Sequence, residues 1–163
     1  MRLTINLDFT YEDAVYVSKR VQKEETLSLS SINCSPVQSC LEGIEKSEYV
    51  GTVNTESGKP IAFVGIAEME NNVGVVWSMT SNDVARYPIS FVKIVKELIR
   101  QYGGLYDKLI SYALVDNPLH QKFHHAVGMY PTNEIVRLHE TGLNYLIFEN
   151  DTVKGLNKMY YEG

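Results

Sequence analysis

The sequence predicts one α/β domain on a mixed, mostly antiparallel sheet, with elements in the order β-α-α-β-β-β-α-β-α-β-β. Three observations lead there. The apolar run Val73-Gly74-Val75-Val76-Trp77-Ser78-Met79 reads as a strand, and so does Leu109-Ile110-Ser111-Tyr112-Ala113-Leu114-Val115. Between them, Phe91, Val92, Val95, Leu98, Ile99 and Tyr102 recur at three- and four-residue spacing, which puts them on one face of a helix from about Pro88 to Tyr102. Lys93, Lys96, Glu97 and Arg100 fall mainly on the other face. A helix with a strand on either side crosses over a sheet.

The remaining elements follow in chain order. Arg2 to Phe9 alternates Leu3, Ile5, Leu7 and Phe9 with polar residues, the pattern of a half-buried strand. Thr10 is placed to cap a helix, with Asp13 three residues on, and Ala14, Val15, Val17 and Val21 extend that helix to about Lys23. Leu27 to Cys34 fits more than one state. Ser35-Pro36 starts a second helix to Lys46, with Val37, Leu41 and Ile44 on one face. Tyr49–Asn54 and Pro60–Met69 read as strands joined by a turn at Glu56-Ser57-Gly58, and Glu70-Asn71-Asn72 turns into the Val73 strand, completing an antiparallel meander. Pro88 suits a first helical turn, and Gly103 suits the left-handed position that closes the helix. Asp116-Asn117-Pro118 opens a short helix that Gly128 should end at positive φ. Pro131 and Thr132 are expected to break the chain before a hairpin of Glu134–Glu140 and Asn144–Glu149 around Thr141-Gly142. Residues 1–150 then form the domain, and 151–163 a polar tail carrying Leu156, Met159, Tyr160 and Tyr161.

Composition limits the partners. With 163 residues the chain can bury a core without staples, and 44% hydrophobic with 21% charged residues marks it as globular. A net charge of −5 argues against a nucleic-acid partner, since such proteins neutralise phosphates with a surplus of Lys and Arg. No apolar run approaches the length that crosses a membrane, and the N-terminus lacks the pattern of a signal peptide, so a cytoplasmic protein is expected. Cys34 and Cys40 read as free thiols of a reduced compartment, with a disulfide left open. No Cys/His pattern has zinc spacing, and His120 and His124 lack an acidic third ligand at a matching spacing, so no metal is expected.

The central stretch also places a turn over a helix N-terminus beside two strand ends, an arrangement that binds phosphates. Past the second strand, Asn117 is followed by His120, His124 and Gly128-Met129 at spacings of three, seven and eleven. This resembles the core of the GCN5-related N-acetyltransferase (GNAT) superfamily, and the element order matches that fold from end to end. The chain departs from the family in one place: the loop Asn82-Asp83-Val84-Ala85-Arg86-Tyr87-Pro88-Ile89-Ser90 has no glycine where the family's loop normally reads Arg/Gln-x-x-Gly-x-Gly/Ala. A nearer likeness is to small acetyltransferase-like proteins of short-tailed bacteriophages, some of them internal virion proteins. It rests on Trp77, Thr80, Ser81, Asn82, Asp83, Asn117, His120, Phe123 and Gly128, and covers the residues of about half the chain.

The resemblance implies transfer of an acetyl group from acetyl-CoA to an amine acceptor, with the 73–79 and 109–115 strands parallel and splayed at a cleft. It implies cofactor contacts at Met79, Ser81, Arg86, Tyr87 and Ser90, and at Asn117, which alternatively only forms a turn before Pro118. His124 stands where many relatives carry the Tyr that protonates the thiolate; its alternative is a half-exposed helix face. Glu68, or Glu70 beside it, is the candidate base, against a solvated hairpin carboxylate. Trp77 is core or cleft wall. Glu24 to Cys34 corresponds to the segment that shapes acceptor specificity. A protein acceptor and a homodimer stay open, as does a catalytically degenerate relative that serves as a virion-assembly or host-interaction binding protein.

Overall fold

A computed structural model describes residues 2–21, 36–138 and 143–150. Its strands are β1 (Thr4–Asn6), β2 (Ser47–Asn54), β3 (Pro60–Met69), β4 (Val73–Thr80), β5 (Lys108–Leu114), β6 (Met129–Leu138) and β7 (Leu143–Asn150). Its helices are α1 (Tyr11–Ser18), α2 (Pro36–Lys46), α3 (Pro88–Tyr102) and α4 (Pro118–Ala126). Among the described residues the strands form one seven-stranded sheet in the order β1-β2-β3-β4-β5-β7-β6. All neighbouring pairs are antiparallel except β4–β5, which is parallel. This is the mixed α/β architecture expected from the sequence. No helix among the described residues is long and apolar enough to cross a membrane.

β3 is the spine. Ile61 to Ile66 are all buried, because the strand is covered on both faces, and this explains why its sequence is a continuous apolar run instead of an alternation. Val64 and Ile66 enter one core with Phe91, Val95, Leu98 and Ile99 of α3. Phe63 enters the other with Ala14 and Val17 of α1 and Cys40 of α2. α3 and α4 therefore cover one face of the sheet, and α1 and α2 the other.

Several boundaries differ from expectation, each for a local reason. α1 has its capping box, Thr10 Oγ1 accepting from the Asp13 N–H at 3.2 Å and Asp13 Oδ2 from the Thr10 N–H at 3.0 Å, but it ends at Ser18 and not near Lys23. The chain there is drawn away to pair with another element: Asn82 N–H donates to Arg20 C=O at 3.0 Å, and Val21, buried, bridges Ser81. β1 keeps only Thr4–Asn6, because its flanks wrap to opposite faces: Leu3 enters the α3-side core, and Phe9 meets Phe63 edge-on at 5.3 Å. Gly103 is not left-handed. It continues α3 at φ −62° into a 3-10 turn, Gly103–Leu105, where a Cβ would lie 2.8 Å from Leu109 Cδ1 and that side chain would have to shift. Pro131 does not end the strand but disturbs it: β6 continues to Leu138 with its pairing to β7 shifted between Pro131 and Ile135, an irregularity an edge strand tolerates. The 27–34 stretch, the 141–142 turn and the 151–163 tail lie outside the described residues.

Gly128 follows α4 at φ +92°, as expected, with its N–H donating to His125 C=O at 3.1 Å. No atom lies within 4 Å of a Cβ built there, so Gly128→Ala would introduce backbone strain and no clash. The expected cost is about 1 kcal/mol, or roughly 2–4 °C in Tm for a domain of this size. An unchanged thermal midpoint would show that the helix does not end in this conformation.

Candidate active site

β4 and β5 pair at only three positions, Val73↔Lys108, Gly74↔Leu109 and Val75↔Ile110. On its other side β4 is paired with β3 as far as Thr80, and β5 with β7 as far as Leu114. Held by different neighbours, the two strands part beyond Val75 and Ile110. A cavity of about 150 Å³ lies at the fork, walled by Val75 to Ser78 of β4, Ser111 and Tyr112 of β5, and His120, Phe123 and His124 of α4.

The walls are fixed by specific bonds. Trp77 Nε1–H donates to Ser47 Oγ at 2.6 Å, and that hydroxyl donates to Gly43 C=O at 2.6 Å. Gly43 and Gly65 let the indole lie against α2 and β3, since a Cβ on either would come within 3.1 Å or less of the ring. α4 is tied at its start. Asn117 Oδ1 accepts the His120 N–H at 3.0 Å, and Gln121 Nε2 donates to Leu114 C=O at 3.1 Å and to Val115 C=O at 2.7 Å. Phe123 stacks on Phe91 of α3 at 5.4 Å, a contact worth about 0.5–1.5 kcal/mol beyond its area. The turn of α4 that carries His120 and His124 is thereby aimed into the fork.

A buried polar chain results. Ser111 Oγ and His124 Nδ1 are 2.6 Å apart, and His124 Nε2 lies 3.3 Å from His120 Nε2. His124 is 7% exposed and Ser111 1%. Both ring nitrogens of His124 are thus engaged within the protein. Burial, and then the neighbouring His120, push the His124 imidazole down to about 3, and burial lowers His120 as well. His124 is therefore neutral near pH 7, with one nitrogen donating and the other accepting.

The structure brings some of the sequence-derived residues to this end of the sheet and leaves others elsewhere. Arg86 is exposed at the end of a 3-10 turn, Asn82–Arg86; Tyr87 and Ser90 are half-buried at the start of α3. Asn117 is the cap of α4, its side-chain oxygen spent on His120. Ser81 is buried, and its Oγ accepts from the Asp83 N–H at 3.3 Å. Met79 points to the opposite core, beside Ser18 and Phe63. Glu68 does not reach the cavity. It pairs with Gly74 at the closed end of the fork and is exposed beside Glu48, whose carboxyl is raised by a hydrogen bond with Glu68. Glu70 is likewise exposed, in the 3-10 turn ahead of β4. The residue missed from the sequence is Ser111. Its one signal was a small polar residue amid an apolar run that is buried along most of its length. The 24–34 segment lies outside the described residues.

No protein-family model matches the chain, and no curated protein matches it by sequence. Solved structures do match. A chimera of spermidine N-acetyltransferase SpeG from Vibrio cholerae and hSSAT superposes with a TM-score of 0.69 at 14% identity, over 96% of this chain and 99% of that one. The chain has the GNAT acetyltransferase fold. A GNAT-family acetyltransferase from Bacillus anthracis aligns with a TM-score of 0.67 at 7% identity, over 91% of this chain and 94% of the other. The microcin C7 self-immunity acetyltransferase MccE, solved with acetyl-CoA and AMP, aligns at 0.66 with 13% identity, over 91% and 92%. At these identities it is the GNAT fold that is shared.

The depressed His124 has a measurable consequence. Its folded value, about 3, lies below the ordinary 6.5, so between those values the unfolded chain binds the extra proton. Stability from this group is complete above the unfolded value and is lost as pH falls from there toward 3, by at most about 1.4 kcal/mol per pH unit. His124→Gln should therefore show a flatter fall of Tm between pH 6.5 and 4 than the parent protein. Equal slopes would place a charged or solvated imidazole at this position.

Proposed function

We propose that the fork between β4 and β5 binds acetyl-CoA and that the protein passes the acetyl group to an amine. The observation that carries this is the parting of the two strands. From Val76 to Met79 the β5-facing edge of β4 has no strand partner among the described residues, so its backbone groups can meet an extended ligand. The pantetheine arm carries amides that can lie along such an edge, with its thioester end in the cavity. At about 150 Å³ that cavity is below the roughly 300–1,000 Å³ of pockets for whole drug-sized ligands, which suits an acyl end whose carrier extends outside. The diphosphate would face the positive end of α3 and Arg86. The fold neighbours support the reading: one was solved with acetyl-CoA, and another is named for acetylating spermidine.

The grip on phosphate is weak by construction. The turn ahead of α3 uses its N–H groups on itself, Val84 to Ser81 C=O at 3.2 Å and Tyr87 to Val84 C=O at 2.8 Å, and Pro88 has none to offer. Arg86 therefore carries much of the charge complementarity. Arg86→Glu should weaken CoA binding at least tenfold by calorimetry, the size of one charge-assisted hydrogen bond, and leave Tm nearly unchanged because the side chain is exposed. Equal binding by the variant would move the phosphates elsewhere.

The same closed turn favours a second reading, a fold kept for binding after catalysis was lost, as in a phage assembly or host-interaction protein. Asp83 adds to it: its carboxylate, paired to Lys59 Nζ at 2.9 Å, stands in the loop where phosphates would rest. Under this reading neither CoA nor acetyl-CoA saturates the protein at millimolar concentration.

A further inference from the structure

We infer that Ser111, and not His124, hands the proton to the departing CoA thiolate, with His124 and His120 behind it as a relay. The inference rests on the acetyl-transfer reading above and adds the identity of the acid. His124 has no free ring nitrogen: Nδ1 meets Ser111 Oγ at 2.6 Å, and Nε2 meets His120 Nε2 at 3.3 Å. Of the hydroxyl residues that line the cavity, Ser78, Ser111 and Tyr112, Ser111 on the β5 wall is the one backed by His124. A hydroxyl alone is a poor acid near neutral pH, so the proton it gives must be replaced as it leaves. His124 is placed to replace it and His120, nearer the rim, to supply it; a neutral imidazole can take a proton at one nitrogen as it gives one from the other.

The proton count closes. The relay starts with both buried rings neutral, His120 protonated at Nε2 and His124 protonated at Nδ1, donating to Ser111. When the C–S bond breaks, the thiolate lone pair takes the Ser111 hydroxyl proton. Oγ takes the Nδ1 proton of His124, and His124 Nε2 takes the Nε2 proton of His120. His120 takes a proton from water at Nδ1 as its Nε2 proton leaves, and so stays neutral, while the acceptor nitrogen releases its own proton to water. Ser111 is then a catalytic residue, and His124 and His120 are positioning residues that act through it.

The test needs no known acceptor. CoA itself, with its free thiol, is bound to the full protein, its affinity is measured by calorimetry, and its thiolate is followed by ultraviolet absorbance across pH. Ser111→Ala should bind CoA within about twofold of the parent, yet show about tenfold less thiolate at a given pH, since one hydrogen bond to the charged sulfur is gone. Ser111→Thr, which keeps the hydroxyl, should restore the titration. Nitrogen-15 spectra of the histidine rings in the CoA complex should show His124 protonated at Nδ1. If the parent binds no CoA, the acetyl-transfer reading fails and takes the inference with it. If CoA binds and Ser111→Ala leaves the thiol titration unchanged, or His124 carries its proton on Nε2, the relay alone is wrong.

Discussion

β4 is bonded to β3 over eight residue pairs and to β5 over three. That inequality sets most of the geometry at the site. A central strand normally spends its N–H and C=O groups on two neighbours. Here β5 leaves after Val75, and among the described residues the stretch Val76 to Met79 faces a gap. The divergence is enforced from outside the pair. β7 holds β5 from Ile110 to Leu114, and α4 is fastened to the end of β5 by Gln121 Nε2 and the Asn117 N–H, both donating to Leu114 C=O. The fork is therefore a built feature, and the cavity at its base is its direct consequence.

The polar contents of the fork follow from the same constraint. An imidazole buried as deeply as His124 loses its hydration and is tolerated when both nitrogens are bonded. Ser111 from the strand and His120 from the preceding turn of the helix provide those bonds. Because His120 and His124 are four residues apart, the helix repeat places them on one face, and Asn117, three residues before His120, fixes where that face points. The cap and the histidines thus form one unit, although in the sequence the cap looks like a plain turn signal.

Much of the fold could be read from the sequence because strong periodicity and punctuation coincide. The six-residue apolar face of α3, Pro88 at its start, the meander turns and Gly128 each had one physical explanation, and each holds. The failures are tertiary. Val21 looks like one more helical residue until Ser81 is found across from it. Gly103 does cap α3, but in a right-handed conformation, with Leu109 against it. Pro131 reads as a breaker unless β6 is known to be an edge. At the site, Glu68 carries the carboxylate a base needs, but strand register puts it at the closed end of the fork. Ser111 carried little signal because a lone Ser in an apolar strand has no meaning until its neighbour is known to be His124.

The claim that everything else rests on is that an extended ligand lies where β4 and β5 part. Amide chemical-shift mapping with CoA tests it on the backbone itself. Saturable shifts should cluster at Val75 to Ser78, at Ser111 and Tyr112, and in the first turns of α3 and α4, with β1 and the β2 edge unmoved. Shifts confined to another face of the sheet, or none at millimolar CoA, would contradict it.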